Sequence, residues 1–484
     1  MWMPDNTLFV PVKDPNLAEK RTLPAIADVG ARLENFDEIE QSYTPDQAAA
    51  EAARCLKCPT HWCQNACPAG VPVTDFIALA RAGKLEEAYR LIRTASTLPE
   101  ICARVCPQEK QCQSNCTRGI RTQAVGIGRL ERFVVEQHYA SGAPEPTAVS
   151  TGKRVAVIGS GPSGLSAAQR LADLGHGVTV LERADRPGGL LEYGIPNMKL
   201  EKGVVQRKIA ALESQGVVFK TGVDVAANTT ARELTEQYDA VVVAVGACHA
   251  RTLNLAGAKT VERGILPAVA FLTDATKTVL AGGYPAFVQG RDVVVVGGGD
   301  TGSDCVGTAL RQGCRSVTQV EMLPAKTGHQ ILFEGHPSRG KEQKHDFSQE
   351  ECAQVFGDPH LYQTTVKAVS ADEEGQLQSV TLVSLEPRYD AHFRLTMEEI
   401  PGTEREVSCQ VLIVATGFLG PEEKVAEAFG LKTDGRSNLW AHNYMARDNV
   451  FVCGDCRTGQ SLVVKAMVDG RDCANAVDAF LKKS

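Results

Sequence analysis

The sequence predicts an α/β protein in which an α-helical N-terminal domain precedes two interleaved parallel-sheet domains of the Rossmann type. Two stretches, 154–183 and 291–323, each consist of a short apolar strand, a glycine-rich turn, an amphipathic helix and a second strand. This order is typical of a βαβ unit. Eight of the 16 cysteines, in contrast, lie between residues 55 and 116. A specialised segment therefore precedes an ordinary α/β body.

The composition fits a chain of several domains. Its 484 residues are 43% hydrophobic and 23% charged, with a formal net charge of −7. A chain of this length forms about two to four domains, and its charge does not indicate a nucleic-acid partner. The sequence has no signal-like N-terminus and no apolar run of the roughly 18 residues that span a bilayer. We therefore expect a cytoplasmic protein with reduced thiols and no membrane partner.

Helical signals dominate the first 150 residues. Thr44 followed by Pro45 predicts the start of a helix, and 73–95 predicts two amphipathic helices separated at Gly83. The stretch 125–139 predicts another helix. The following stretch is rich in Pro, Gly, Ser and Thr and is typical of a linker.

We divide the chain into a helical domain and two α/β domains. The second α/β domain is expected to be inserted into the first, which then consists of two separate parts. The ranges are 1–150 for the helical domain, 151–285 and 409–484 for the divided domain, and 286–408 for the inserted domain.

The first glycine turn has the pattern GxGxxG between a strand and a helix. Gly159 permits the tight turn, Gly161 leaves room for a pyrophosphate, and Gly164 allows the helix to pack closely on the strand. Pro162 follows at the first helical position. The helix N-terminus then presents free N–H groups to phosphate. Glu182 ends the second strand, where a carboxylate binds an adenosine ribose. Together these features predict a dinucleotide site.

The second glycine turn repeats this pattern after the strand 293–296. Glu321 again ends the second strand, where a carboxylate suits a ribose 2′-OH and disfavours a 2′-phosphate. Arg311 and Arg315 lie nearby in the sequence and could accommodate a phosphate, although a solvated helix end is the simpler interpretation. The sequence leaves NADH and NADPH equally open. The turn residues expected at this site are Gly297, Gly299, Asp300, Thr301 and Gly302.

The clustered cysteines favour iron–sulfur clusters over zinc or disulfides. Residues 55–68 contain the spacing C-x2-C-x4-C-x3-C-P, which is close to the bacterial ferredoxin run. Iron–sulfur clusters transfer single electrons, whereas zinc would conduct none. We therefore expect two [4Fe–4S] clusters. The cysteines of this segment are Cys55, Cys58, Cys63, Cys67, Cys102, Cys106, Cys112 and Cys116.

Later segments resemble flavoproteins with two dinucleotide domains, which include glutathione-reductase-like enzymes. The stretches DAVVVAVGA (239–247) and CQVLIVATGF (409–418) are strands that end in small-residue turns, and NVFVCGDCRTGQSLVVKAMVDGR (449–471) contains a Gly-Asp motif. In that family the Gly-Asp motif contacts FAD, so the resemblance implies FAD at the first turn. The further FAD-binding residues that it implies are Gly189, Gly246, Gly417, Gly454 and Asp455.

A closer resemblance covers nearly the whole chain. CLKCPTHWCQNACP (55–68), LPEICARVCPQEKQCQSNC (98–116), IGRLERF (127–133) and GGLLEYGIPNMKL (188–200) resemble the small (β) subunit of glutamate synthase. They equally resemble the large subunit of bifurcating ferredoxin–NADP transhydrogenase, and the N-terminal part of dihydropyrimidine dehydrogenase is related. The family implies a helical double-cluster domain followed by interleaved FAD and NAD(P)H domains.

The resemblance also implies ligands for each cluster. One cluster would use Cys55, Cys58, Cys63 and Cys116. The other would use Cys67, Cys106, Cys112 and a carboxylate from Glu131. In a competing scheme Cys102 replaces Glu131; we favour Glu131.

The expected activity is NAD(P)H oxidation. Hydride would pass to FAD, and single electrons would pass through the clusters to a partner. In the glutamate synthase interpretation, this partner is a large amidotransferase and FMN subunit that reduces 2-iminoglutarate to glutamate. No side chain is expected to act as a nucleophile. The alternatives are a subunit of a bifurcating or ferredoxin-linked complex and, much less favoured, a zinc scaffold without activity.

Two further expectations concern groups outside these sites. Cys453 and Cys456 form a CxxC, which we interpret as two small buried residues instead of a redox pair. The stretch 322–351 is expected to be a polar loop beside the nicotinamide site. Its histidines, His329, His336 and His345, are too scattered for a metal site.

Overall fold

The computed structural model describes residues 17–225, 227–325, 346–389 and 395–483. It confirms the predicted fold class, because a helical N-terminal segment precedes two parallel α/β sheets. Within the described ranges, no helix combines the length and apolar character that crossing a membrane requires. The expected loop residues His329, His336 and His345 lie outside the described residues.

Seventeen α-helices and three short 3-10 helices occur in the described ranges. The 3-10 helices are Gln108–Lys110, Thr117–Ile120 and Ala258–Thr260. The α-helices are α1 (Val29–Leu33), α2 (Pro45–Ala53), α3 (Trp62–Asn65), α4 (Val73–Arg81), α5 (Leu85–Arg93), α6 (Pro99–Val105), α7 (Ile127–Ser141), α8 (Pro162–Asp173), α9 (Leu190–Tyr193), α10 (Lys202–Ser214), α11 (Ala231–Gln237), α12 (Ala268–Leu280), α13 (Asp300–Arg311), α14 (Phe347–Val355), α15 (Glu423–Phe429), α16 (Asp455–Thr458) and α17 (Val463–Leu481).

The strands of the same ranges form three sheets. They are β1 (Arg154–Ile158), β2 (Gly177–Glu182), β3 (Val218–Thr221), β4 (Ala240–Val243), β5 (Ile265–Pro267), β6 (Asp292–Val296), β7 (Ser316–Glu321), β8 (His360–Tyr362), β9 (Thr364–Ala371), β10 (Leu377–Tyr389), β11 (Leu395–Glu399), β12 (Arg405–Ser408), β13 (Val411–Val414), β14 (Met445–Arg447) and β15 (Val450–Val452).

Two of the sheets are the predicted Rossmann-type sheets. The first has the strand order β14-β15-β4-β1-β2-β3, with only the edge strand β14 antiparallel to its neighbour. The second is entirely parallel, in the order β5-β13-β6-β7-β8. Strands β9 to β12 form a separate antiparallel sheet. We name three parts of the chain: the helical unit (α1 to α7), the first-sheet unit (β1 to β4, β14, β15 and the helices between and after them, including α17) and the second-sheet unit (β5 to β13 with the helices between them).

Two strands differ from the division predicted from the sequence. Both Ile265–Pro267 and Val411–Val414 were expected in the divided domain, but β5 pairs with β13, and β13 pairs with β6, in the second sheet. Both sheets contain short apolar strands that end in small-residue turns, so local composition does not distinguish them. Pairing partners distant in sequence decide the sheet, and the second-sheet unit therefore extends from Ile265 to Val414.

The predicted start of α2 and the break at Gly83 agree with the structure, whereas the helix predicted over 125–139 lies at Ile127–Ser141. The hydroxyl of Thr44 accepts the N–H of Gln47 at 3.3 Å, and the Gln47 side chain accepts the N–H of Thr44 at 2.9 Å. This capping box and Pro45 fix the start of α2. Gly83 has a φ of 74° between α4 and α5, a conformation that glycine adopts without strain.

A single core joins the helical unit to the first sheet. Its buried side chains come from the N-terminal helices, from one face of the first sheet and from α8 and α17, as Phe76, Leu165 and Phe451 illustrate. Apolar burial of this extent stabilises an interface as it does a domain interior. The helical unit is therefore packed onto the first sheet and is not an independent appendage.

The segment 28–40 crosses all three units. Arg32 donates to Glu350 at 2.7 Å on the second-sheet unit. The carbonyl oxygen of Phe36 accepts from Asn197 of the first-sheet unit at 2.9 Å. Glu38 accepts from Arg104 and Arg132 of the helical unit at 2.8 and 2.9 Å. One short segment thus ties the second-sheet unit to the other two.

The expected linker over 141–153 is anchored at Glu145. Tyr89 donates a hydrogen bond to its carboxylate, and Nε2 of His138 lies 3.7 Å from it. His138 stacks on Tyr89 with ring centroids 3.6 Å apart, and its Nδ1 lies 2.8 Å from Glu86. Burial opposes protonation of His138, but the neighbouring carboxylates of Glu145 and Glu86 outweigh it and raise the imidazole pKa. The contact with His138, the charge of Arg93 and the hydrogen bond from Tyr89 lower the pKa of Glu145 to about 2, against the effect of burial.

This anchor predicts a pH dependence of stability. The pKa of His138 is higher in the folded than in the unfolded protein. Its contribution to the free energy of unfolding is therefore complete below the unfolded-state pKa of about 6.5, and it is lost as the pH rises through the folded-state pKa. We expect His138→Gln to lower the thermal unfolding temperature near pH 6 and to have a smaller effect near pH 9. Thermal unfolding across this range, with exposed His442→Gln as the control, measures the difference. An equal loss at every pH would contradict the prediction.

Candidate functional site

The first glycine turn is shaped by main-chain contacts. Gly159 has a φ of 95°, and a Cβ there would lie 2.5 Å from the carbonyl oxygen of Ala244. A Cβ at Gly164 would lie 2.0 Å from the carbonyl oxygen of Gly159, so α8 approaches β1 as closely as glycine allows. A Cβ at Gly161, however, would meet no heavy atom within 4 Å. The turn thus leaves a space at the N-terminus of α8, where a phosphate is bound best.

Glu182 lies against this turn, as the sequence predicts. Its Oε2 accepts the N–H of Ser160 at 3.0 Å, and its Oε1 accepts the N–H of Ala184 at 2.8 Å. The Ser160 hydroxyl also donates to Glu182 and accepts the N–H of Gly188 at 2.8 Å. The carboxylate is therefore buried and fixed at the edge of the turn.

Two of the remaining residues predicted to bind FAD surround the same turn. A Cβ at Gly189 would lie 2.9 Å from Cα of Gly161, and a Cβ at Gly454 would lie 2.2 Å from Oγ of Ser163. Asp455 follows at the start of α16, where burial raises its carboxyl pKa to about 6 even though Ser461 donates to it at 3.1 Å.

Gly246 and Gly417 occupy different positions. Gly246 follows β4 of the first sheet and has open space on its Cβ side. Gly417 follows β13 of the second sheet, and a Cβ there would lie 2.5 Å from the side chain of Gln460. Gln460 also accepts the N–H of Phe418 at 2.9 Å. Gly417 therefore lies beside the short segment between α16 and α17 that follows the Gly-Asp motif.

The second glycine turn repeats the geometry of the first. A Cβ at Gly297 would lie 2.5 Å from the carbonyl oxygen of Ala415, and a Cβ at Gly302 would lie 2.0 Å from that of Gly297. Gly299 has no heavy atom within 4 Å of its Cβ position. Gly299, Asp300 and Thr301 are exposed at the start of α13. This turn therefore offers a second phosphate space that opens to solvent.

Glu321 occupies the position that corresponds to Glu182. Its Oε2 accepts the N–H of Gly298 at 2.9 Å, and its Oε1 accepts that of Leu323 at 2.8 Å. A carboxylate is thus fixed where the ribose of a bound dinucleotide would lie.

The two arginines near this turn in sequence are engaged elsewhere. Arg311 is fully buried and donates to both oxygens of Glu351 at 2.7 and 3.0 Å. Arg311 therefore cannot bind a phosphate. The simpler expectation, that it lies at a solvated helix end, is also wrong, because Glu351 of α14 packs against it. Arg315 pairs with Asp292 at the start of β6, the opposite end from the glycine turn.

The first predicted ligand set is gathered at one cavity. Its lining includes Cys55, Cys58, Cys63 and Cys116 together with the apolar side chain of Ile77. Burial raises the pKa of Cys55 to about 12, despite a backbone hydrogen bond from Lys57, and also raises that of Cys116. Backbone hydrogen bonds from Val125, Arg118 and Gly119 oppose the shift at Cys116. Such N–H···S bonds suit thiolates that bind iron.

The thiols surround a space and do not converge on a point. Across the described ranges, no three His, Cys, Asp or Glu side chains are close enough together to hold a single metal ion. Four cysteine thiols around one space are the donor set of a [4Fe–4S] cluster.

The second predicted set lies next to the first. Burial raises the pKa of Cys67 and Cys112, and the charge of Glu131 adds to both shifts. The pKa of Cys106 is also raised, most of all by its neighbour Cys102 and by burial, and the charge of Glu131 contributes. Glu131 is therefore near all three thiols.

Glu131 carries a buried carboxyl group whose hydrogen-bonding capacity is incompletely used. Burial, followed by the charge of Glu100, raises its carboxyl pKa to about 8. Its Oε1 is buried and has no hydrogen-bond partner among the described residues. A buried acceptor normally finds a partner, so this oxygen fits a metal ligand.

Several residues of the site were not predicted from the sequence. Asp469 of α17 accepts the N–H of Gly454 at 2.6 Å and pairs with Arg457, which supports the Gly-Asp motif. A Cβ at Gly470 would lie 2.1 Å from the carbonyl oxygen of Ser163, so α17 touches α8. The Asp-Gly pair inside a helix was a detectable signal, because glycine is unfavourable there without a packing reason.

The CxxC at 453–456 does not form a dithiol pair. Both cysteines are free and buried, but Cys453 belongs to the core shared with the helical unit and Cys456 to the core on the other face of the sheet. Their interpretation as small buried residues agrees with this placement.

Two family models match the chain. Residues 32–143 match dihydropyrimidine dehydrogenase domain II, 4Fe-4S cluster. Residues 126–230 and 153–331 match pyridine nucleotide-disulphide oxidoreductase. Fold and site thus define an iron–sulfur oxidoreductase that uses a pyridine nucleotide, which confirms the predicted enzyme class.

Curated relatives identify the family. The glutamate synthase [NADPH] small chain of Bacillus subtilis is 37% identical over 96% of this chain and 97% of its own length. The corresponding Escherichia coli chain is 31% identical over 96% of this chain and 98% of its own length. The chain belongs to the glutamate synthase small-chain family, as its motifs predicted.

Solved structures support the fold. FprA from Mycobacterium tuberculosis, in complex with NADPH, aligns with 68% of this chain and 85% of its own length, with a TM-score of 0.53 and 20% identity. At this identity the likeness concerns the two-sheet fold.

The glycine geometry makes a direct prediction. Gly161→Ala should leave the fold intact, because its Cβ enters open space, but should weaken FAD binding about tenfold or more by filling the phosphate space. Flavin absorbance per chain at limiting FAD, together with the thermal unfolding of the flavin-free protein, measures both effects. The matched variant Gly164→Ala should fail to fold, since its Cβ overlaps the oxygen of Gly159. Full flavin retention in Gly161→Ala would refute this role.

Proposed function

We propose that this chain oxidises NADH and, by way of FAD and two [4Fe–4S] clusters, supplies electrons to a large subunit that reduces 2-iminoglutarate to glutamate. The observation that supports the proposal is the presence in one chain of two glycine turns, each with space for a phosphate, and of two groups of candidate iron ligands. FAD would accept two electrons as a hydride and release them one at a time. Free thiols suit a cytoplasmic location.

The protein contributes binding and orientation. The N–H groups at the start of α8 and α13 would hold the two pyrophosphates, and Glu182 and Glu321 would accept from the two riboses. Asp455, at the start of α16, is the residue proposed to contact the ribityl and pyrophosphate part of FAD. No nucleophilic side chain is needed.

The proposed cluster ligands follow from the two sets. Cys55, Cys58, Cys63 and Cys116 would hold one cluster. Cys67, Cys106, Cys112 and Glu131 would hold the other, and the unpartnered Oε1 of Glu131 supports the carboxylate ligand.

Relatives support a large partner subunit. The glutamate synthase [NADH] of Schizosaccharomyces pombe is 37% identical over 92% of this chain, which covers 22% of that longer protein. The protein of Saccharomyces cerevisiae with the same name is likewise covered over 22% of its length. In these proteins a region similar to this chain is fused to a much longer one. We propose that a separate large subunit, carrying the amidotransferase and FMN, corresponds to that longer region.

The preference for NADH rests on the charges at the second turn. Glu321 places a carboxylate where NADPH would carry its 2′-phosphate, which is unfavourable for that phosphate. Arg315 pairs with Asp292 at the far end of β6, about 15 Å away along the strand. Arg311 is held by Glu351 at the far end of α13. Neither arginine can compensate the added charge.

Substitution of Glu321 tests this preference. We expect kcat/KM to be higher for NADH than for NADPH, and Glu321→Ala to reduce the ratio about tenfold or more by removing the ribose acceptor and the repulsion together. Steady-state diaphorase assays with both nucleotides measure the ratio. Arg315→Gln is the control and should leave the ratio unchanged. A wild-type preference for NADPH would refute the assignment.

Cofactor content tests the proposed function as a whole. Anaerobically purified protein should contain about eight iron, about eight sulfide and about one FAD per chain, and NADH should bleach its visible spectrum. Zinc without sulfide, or flavin reduction in a protein without clusters, would overturn the proposal. Glutamate formation after addition of the large subunit, with 2-oxoglutarate and glutamine, would identify the acceptor.

A further inference from the structure

Glu321 and the start of α13 provide for the ribose and the pyrophosphate of a dinucleotide at the second turn, but not for its adenine base. The neighbouring strand supplies a candidate for that contact. Strand β8 pairs with β7 in parallel register, and Tyr362 is the register partner of Glu321. Side chains paired in this way point to the same face of the sheet, with adjacent strands about 4.8 Å apart. Tyr362 therefore lies beside the carboxylate that contacts the turn.

Contacts on both strands define this face of the sheet. The side-chain amide of Gln319 on β7 donates to the carbonyl oxygen of Gly297 in the glycine turn at 2.8 Å. His360 of β8 is the register partner of Gln319, and its Nε2 lies 2.8 Å from the side-chain nitrogen of Gln349. That nitrogen also donates to the hydroxyl of Ser303, near the start of α13, at 3.3 Å. This face of β8 is therefore the face on which the second glycine turn and its helix lie.

Tyr362 presents an aromatic ring at this position. Its ring stacks on that of His360, with centroids 5.1 Å apart and planes 9° from parallel. The ring of His360 is itself held by Gln349 on one side and by Asp358, 2.7 Å from its Nδ1, on the other. Because His360 precedes Tyr362 on the strand, the opposite face of the tyrosine ring is turned toward the carboxyl end of the sheet, where the glycine turn lies. Tyr362 is 39% exposed.

The surroundings of this ring suit a heteroaromatic base. Met322 and Leu323 directly follow Glu321 and are 52% and 40% exposed. The carbonyl oxygen of Leu323 accepts the N–H of Gln363 at 3.3 Å, which holds this segment beside β8. Exposed apolar side chains grouped around a few polar ones are typical of a ligand site. An aromatic ring next to a ribose acceptor is the arrangement that an adenosine requires, since bases stack on aromatic side chains.

We propose that Tyr362 stacks on the adenine base of the nicotinamide dinucleotide at the second turn, and that His360 positions its ring. The inference rests on the proposed function only in placing such a dinucleotide at this turn. It applies to NADH and NADPH alike, because the base is common to both. The stacking ring and Glu321 together select a dinucleotide over a molecule that carries the nicotinamide alone.

Binding of ADP-ribose tests the contact without turnover, because this molecule has the adenosine and the pyrophosphate but no nicotinamide. We expect Tyr362→Ala to weaken its binding to the FAD-loaded protein about tenfold, as for the loss of one base–aromatic stack. Tyr362→Phe keeps the ring and should bind as the wild type does. Tyr389→Ala removes a more exposed tyrosine, from β10 of the antiparallel sheet, and is the matched control. It should leave the affinity unchanged in isothermal titration calorimetry.

Diaphorase assays with two hydride donors separate base binding from hydride transfer. Reduced nicotinamide mononucleotide carries the same hydride as NADH but has no adenosine. Tyr362→Ala should raise KM for NADH about tenfold with little change in kcat, and should leave kcat/KM for the mononucleotide unchanged. His360→Ala should give a smaller loss with NADH, because the ring of Tyr362 is then held less firmly, and His360→Phe should restore the stack.

Two results would overturn the inference while the proposed function stands. Equal affinity of the wild type and Tyr362→Ala for ADP-ribose would show that the ring does not contact the base. Equal losses with NADH and with the mononucleotide would show that Tyr362 only supports the fold of the turn. A cofactor-loaded wild type that neither binds ADP-ribose nor oxidises NADH or NADPH would instead refute the proposed function, and the inference with it.

Discussion

The arrangement of the chain depends on the junction at which α8, α17 and residues 96–102 pack together. The Ser166 hydroxyl lies 2.6 Å from that of Thr97 and donates to the carbonyl oxygen of Met467. Gly164 and Gly470 permit the close approach of α8 to β1 and of α17 to α8. The helices that support the first glycine turn thus also pack against the segment that leads into the proposed ligand Cys106. Buried backbone packing, and not the 141–153 linker, fixes the separation of the two sites.

Most of the thiols proposed as cluster ligands are buried, and burial opposes their ionisation. It raises the pKa values of Cys55, Cys63, Cys67, Cys112 and Cys116, and it favours the protonated form of Glu131. Iron reverses this balance, since its positive charge compensates the thiolates. The backbone N–H groups near Cys67 and Cys116 already point toward sulfur. The backbone of the helical unit is therefore arranged to stabilise thiolates, and cluster binding should stabilise its fold.

Features with local causes could be predicted from the sequence. The glycines at 159, 164, 297 and 302 have steric reasons that act within one strand–turn–helix unit, and the capping box at Thr44 spans three residues. The cysteine spacing likewise indicated cluster ligands. Features decided by distant partners could not be predicted: β13 joined the second sheet through pairing with β6, and Arg311 was captured by Glu351 some 40 residues later. The contact of Cys102 with Met467 joins residues 365 positions apart.

The two glycine turns have the same internal geometry but different surroundings, and this difference accords with their proposed ligands. At the first turn, a Cβ on Gly189 would overlap the backbone of Gly161, and a Cβ on Gly454 would overlap the side chain of Ser163. Glu182 beside this turn is buried. At the second, Gly299, Asp300 and Thr301 are exposed. An enclosed phosphate space exchanges its occupant slowly and suits a resident cofactor. An open one suits a nucleotide that must leave after each oxidation. A chain that takes electrons from a diffusing donor and keeps them on bound groups needs one turn of each kind.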